Sequence, residues 1–228
     1  MFWYKAWLET RWRFLFMIGS MMLVWFGIPS LVPGAPMNRL WLGLQLGSIL
    51  LYCCTALFLA GTGVNTQTTY AATSGFHGSM LFTLSLPISR RRLLFVRAGS
   101  GAVETCILVA MMAGLTLFKA PVAASPLQAL QYETRAIVCT MSVYALSVLL
   151  ACVLDEMWQF MGSGLALCAF FMLQSRFDVV SRVSPLRGMS LISYPLAASM
   201  PLAPMAASLV FAAVSLYASV LVLRRKEY

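Results

Sequence analysis

Charge is what this chain has least of. Only 10% of its 228 residues are charged, against about 25% in soluble domains, and seven carboxylates stand against sixteen lysines and arginines. That composition excludes an ordinary soluble domain. Histidine is nearly missing: His77 is alone, beside Gly78 in a polar stretch, and reads as a surface or contact residue rather than a catalyst. No cluster of His, Cys, Asp and Glu has the spacing of metal ligands. No nucleophile, base and orienting group fall into a catalytic pattern, so intrinsic enzyme chemistry is not expected. The chain also lacks a GxxxxGK[ST] phosphate loop and any polar stretch long enough for a nucleotide-binding domain. No internal repeat emerges.

The six cysteines offer little chemistry. Cys53, Cys54, Cys106, Cys139, Cys152 and Cys168 all fall inside apolar runs, and Cys53–Cys54 are adjacent rather than in a CxxC. They read as small packing residues buried among apolar neighbours. The N-terminus opens on aromatics, carries Glu9 and has no clear small-residue cleavage site, which differs from a secretory signal peptide.

What is there is oil. Hydrophobic residues make up 61% of the chain, and the mean hydropathy is +0.83. The net charge of +9 comes from arginines placed at the ends of apolar runs. That placement fits the positive-inside rule and not a continuous groove for nucleic acid. About 20 apolar residues cross the hydrocarbon of a bilayer. Such runs occur at 14–32, 40–63, 98–118, 136–154, 157–175 and 202–223. The fold expected is an all-α integral membrane protein, a single transmembrane domain over 1–228 with six transmembrane helices.

The fourth and fifth runs are parted only by Asp155 and Glu156, and two carboxylates at mid-bilayer would be costly, so a tight helical hairpin is expected there. The apolar piece 189–201 is too short to span and contains Pro195 and Pro201. It is expected as an interfacial or re-entrant element. Residues 1–13 place Trp3 and Trp7, with Phe14, on one helical face and Lys5, Glu9 and Arg13 on another. This predicts an amphipathic interfacial helix, the alternative being an aromatic belt that opens the first span.

Six spans leave both termini on one side. That side holds Lys5, Arg11, Arg13, Arg90, Arg91, Arg92, Arg97, Arg224, Arg225 and Lys226, ten of the sixteen basic residues. The other holds Arg39, Lys119, Arg135, Arg176, Arg182 and Arg187. The richer side is expected to be cytoplasmic, in a cell membrane, with a bacterial inner membrane as the expected setting.

The longest cytoplasmic connection then runs from Val64 to Leu93. Within it, "SMLFTLSL" suits a short helix ended by Pro87, and Ser89 suits the N-cap of the third span. Arg90, Arg91 and Arg92 fall in the first turn of that span, where cations oppose the helix dipole. Anionic lipid headgroups would offset this. They do not account for Phe82, Leu84 and Leu86, which on such a helix would form an apolar peg between two spans.

The segment "LFTLSLPISRRRLLFVRA" resembles the connection between the second and third spans in ATP-binding-cassette (ABC) transporter permeases of the type-2 exporter class. Leu84, Ser85, Leu86, Pro87, Ser89, Arg90 and Arg91 carry the match. The resemblance extends to the six-span plan, the opening helix, the non-spanning piece before the last span and the basic C-terminus. It implies a transmembrane subunit that works as a pair, as a homodimer or with a homologue. Two copies of a separate cytosolic ATPase would bind the ATP and Mg. Residues 76–92 would form the main coupling helix, with Arg92 in its basic end, and Asp155 and Glu156 a second contact.

Glu104 is the only carboxylate well inside a span. Two turns from Arg97, it is expected to form a structural or gating pair with a basic group. Two other classes of function compete: a non-transporting intramembrane scaffold or immunity-type protein, and an ion-coupled carrier. A carrier would carry more charge or broken helices at mid-membrane.

Overall fold

The computed structural model describes residues 2–27, 37–60, 90–118, 125–154, 156–196 and 200–225. Among these residues every regular element is helical. They are α1 (Phe2–Met22), continued by a π-helical stretch Leu23–Gly27, α2 (Met37–Ala60), α3 (Arg90–Phe118) and α4 (Pro126–Val153). After them come α5 (Glu156–Arg176), the short α6 (Asp178–Val183) and α7 (Pro185–Met189), and α8 (Leu202–Arg225). Among the described residues four helices are long and apolar enough to cross a membrane: α2 over Trp41–Ala60, α3 over Ala98–Phe118, α4, and α8 over Leu202–Val222. The expected spans at 40–63, 98–118, 136–154 and 202–223 fall on these. Those at 14–32 and 157–175 fall on α1 and α5, which are outside that set of four.

Helix starts and stops obey local chemistry. α3 begins at Arg90, where a cap at Ser89 would place it. α4 begins ten residues before its expected apolar run. Ser125 and Gln128 form a reciprocal capping box: the Gln128 amide donates to Ser125 Oγ at 3.3 Å, and the Ser125 amide donates to Gln128 Oε1 at 3.0 Å. Pro126 occupies the first helical position, where its missing N–H costs nothing. At the other end Leu154 turns extended and α5 starts two residues later, so the chain breaks where Asp155 and Glu156 were expected to break it.

The opening helix corrects one expectation. Helix α1 runs unbroken from Phe2 to Met22, so residues 1–13 are not a separate helix from the apolar stretch at 14–22. Along its own face Trp7 meets Phe14 edge-on at 5.4 Å, and the helix leans on α3 and α2, where a Cβ on Gly99 would lie 2.9 Å from the Trp3 ring and Phe58 lies 6.1 Å from Phe16. Tertiary contacts on both sides of residue 13 keep the helix continuous.

Helix α4 is the hub, packing against α2, α3, α5, α7 and α8. Its buried positions include Ala136, Cys139, Thr140 and Ser142, small residues that let neighbouring backbones approach. Helix α8 answers with a buried row of Pro204, Ser208, Ser215 and Ser219 and turns Leu209, Val210, Val214 and Tyr217 outward. Buried hydroxyls are returned to their own helices, as Ser208 to the Pro204 carbonyl at 2.6 Å. Of the cysteines, Cys53, Cys139 and Cys152 are buried, while Cys168 lies exposed on α5, contrary to the packing role expected of it.

Candidate functional site

The short peg and its proline (Phe82, Leu84, Ser85, Leu86, Pro87, Ser89) lie outside the described residues, as does Asp155. So do the side chains of Arg90, Arg91, Arg92, Arg97 and Glu156. What is described is the frame that carries the connection: the end of α2 at Ala60 and the start of α3 at Arg90.

The last turn of a helix exposes carbonyls with no partner in the helix itself. At the end of α2 two of these are taken by side chains from other helices. Arg13 of α1 donates from Nη1 to the Phe58 carbonyl at 3.2 Å. Gln159 of α5, fully buried, donates from Nε2 to the Leu57 carbonyl at 3.3 Å. A cation at this end also complements the helix dipole. Apolar contact reinforces the join, with Phe58 against Phe16 of α1 at 6.1 Å and against Phe160 of α5 at 5.1 Å.

Helix α3 is held by side chains farther along, two to four turns from its start at Arg90. Thr10 of α1 donates its hydroxyl to Glu104 Oε1, and both residues are buried. Tyr144 of α4 donates to the Ala98 carbonyl at 2.7 Å. Between these bonds lies Gly101, where a Cβ would stand 2.5 Å from Tyr144 Oη and 2.8 Å from the Leu59 carbonyl. Backbones of α2 and α3 therefore meet at a contact that only glycine fits.

Glu104 thus reaches α1, and its described partner is the Thr10 hydroxyl; the side chain of Arg97, expected to pair with it, lies outside the described residues. Its second oxygen, Oε2, is buried with no partner among the described residues. Arg13 and Thr10 are one turn apart on α1, so a single stretch of that helix grips the end of α2 and the middle of α3. Thr10, Gln159, Tyr144 and Gly101 escaped sequence reading because each looks like a routine residue in or beside an apolar run. Only Gly101, inside "GSGAVE", carried a visible signal of close packing.

A second polar group lies farther along the bundle. Tyr52 of α2 and Tyr132 of α4 bring their hydroxyls to 3.1 Å. One turn before Tyr52, Ser48 lies 3.4 Å from Thr116 of α3. The turn after α7 inserts beside them: the Leu191 amide donates to Gln45 Oε1 at 3.3 Å, and Arg135 Nη2 donates to the Tyr194 carbonyl at 3.2 Å. Residues 189–191 are buried, so the first part of the non-spanning piece packs into the protein. Below it, Ser142, Phe170, Leu186 and Phe211 help line an apolar cavity of about 420 Å³ between α4, α5, α7 and α8.

No group of three His, Cys, Asp or Glu among the described residues could hold a metal ion. The arrangement is mechanical: hydrogen bonds and one glycine contact tie α1, α4 and α5 to the end of α2 and the middle of α3. Comparison with protein-family models, curated proteins and solved structures gives no match.

Proposed function

We propose that the chain is the transmembrane subunit of an ATP-driven exporter of the ABC type-2 class, working as a pair and driven by a separate cytosolic ATPase. The observation that carries this reading is the join between the segment "LFTLSLPISRRRLLFVRA" and α3. The helix starts at Arg90 and continues for 29 residues to Phe118 without interruption. A rod of that length spans roughly 43 Å. Movement imposed at the peg would be delivered along the whole of α3.

The polar joint supports the same reading. Helices α2 and α3 meet at Gly101, and α1 bonds to both through Arg13 and Thr10. A partner pressing on residues 76–92 would then shift α1, α2 and α3 together. The buried Gln159, near the start of α5, lies in the same joint and would link it to the second contact at Asp155 and Glu156. Six spans and two cytoplasmic termini belong to this proposal, with α1 and α5 as the first and fifth spans.

The test is co-purification from native membranes together with an ATPase assay. The reading expects a soluble ATPase to accompany the chain and its activity to be inhibited by vanadate. A chain that purifies without ATPase activity, from membranes where it is intact, contradicts it and favours a scaffold. Proton- or sodium-driven transport with no ATPase present would favour an ion-coupled carrier.

A further inference from the structure

Arg135 is the one charge in the second polar group, and nothing in the exporter reading uses it. It lies ten residues into α4 yet is only 5% exposed. Its guanidinium packs against the rings of Tyr132 and Tyr194, at 5.3 and 5.7 Å, and gives one hydrogen bond to the Tyr194 carbonyl. Its Nε is buried with no acceptor. Among the described residues no carboxylate pairs with it. A buried charge without a counter-charge is costly, and an ionisable group within a membrane helix marks a functional site by default.

The guanidinium lines a small open cleft with Gln128, Gln131, Tyr132, Leu196 and Met200. The cleft has a volume of about 10 Å³, room for one water-sized group, and no carboxylate among the described residues lines it. The nearby Gln131 amide and Tyr132 hydroxyl add capacity for hydrogen bonds. A planar fork of N–H donors over a narrow polar cleft matches an oxyanion, and phosphate is the oxyanion that anionic lipids present at a membrane.

We infer that the cleft over Arg135 binds a phosphate group, carried by an anionic phospholipid or free in solution. The bound oxygen occupies the cleft and takes guanidinium N–H donors beyond the one given to the Tyr194 carbonyl. The inference stands apart from the exporter reading, since it needs neither ATPase nor transport.

Titration calorimetry on the full chain, purified in neutral detergent, tests it with three probes: phosphatidylglycerol, phosphatidylcholine and inorganic phosphate. Phosphatidylglycerol is expected to bind in preference to phosphatidylcholine. R135Q is expected to weaken that binding about tenfold or more. Substituting the exposed Arg182, as R182Q, should leave it unchanged. Binding of inorganic phosphate with the same dependence on Arg135 identifies a free-phosphate site, and its absence identifies the lipid as the source. If R135Q aggregates, R135K is read in its place, keeping the charge without the fork. Equal binding of the two lipids with no phosphate response overturns the inference. So does wild-type affinity in R135Q or R135K, or an equal loss in R182Q.

Discussion

Thr10 and Glu104 show how much a single contact can carry in an apolar protein. The Glu104 carboxyl has one described partner, and the Thr10 hydroxyl is it. Replacing Thr10 by Val leaves a buried polar group with no described partner, a loss of about 1–3 kcal/mol. T10V is therefore expected to lower the melting temperature of the purified protein by several degrees. E104Q keeps an oxygen that can accept from Thr10 and is expected to lose less. A T10V protein that melts with the wild type would show that the contact contributes nothing. Sequence alone marked Glu104, because a lone carboxylate in an apolar run has few neighbours to hide among. It did not mark Thr10, whose partner lies 94 residues away. Arg135 was counted as a charge at the mouth of a span, and only packing against Tyr132 and Tyr194 reveals it as buried.

At the level of elements, the α2–α3 contact and the start of α4 carry the sharpest expectations. A methyl at Gly101 would drive into Tyr144 Oη and the Leu59 carbonyl, whereas one at Gly114 meets nothing within 4 Å. G101A is expected to destabilise by about 1–3 kcal/mol through overpacking. G114A should be neutral or slightly stabilising, since alanine favours a helix. Thermal melting of the two variants side by side decides the point, and equal melting would contradict the close approach. At α4, S125A removes the cap and should cost about 0.5–2 kcal/mol, read in the same assay. The start of α4 was legible in "SPLQ", a serine, proline and glutamine at capping-box spacing, but hydropathy alone put the span ten residues late. The break at Asp155–Glu156 was legible because two carboxylates interrupt otherwise continuous oil. The continuity of α1 was not, because an amphipathic segment leading into an apolar one has the same pattern whether or not the helix bends.

For the whole molecule, the alternation of apolar runs announced a helical membrane protein, and four helices capable of crossing a bilayer bear that out. Which helices would meet was invisible, because small residues such as Ser208, Ser215 and Ser219 say that a helix can be approached closely but not which helix approaches it. The proposed topology is checked by single cysteines at Tyr228 and Pro36, in a background free of native cysteines. They are expected to label from opposite sides, and labelling of both from outside would contradict it. The central claim is that the segment before α3 docks an ATPase through Phe82 and Leu84. Loss of hydrophobic anchors from an interface centre commonly costs ~2 kcal/mol or more each. The most direct measurement is the amount of ATPase recovered with the wild type and with an F82S/L84S variant from equally loaded membranes. The account predicts normal insertion of the variant with ATPase recovery reduced about tenfold or more. Full recovery of ATPase with the variant would contradict it.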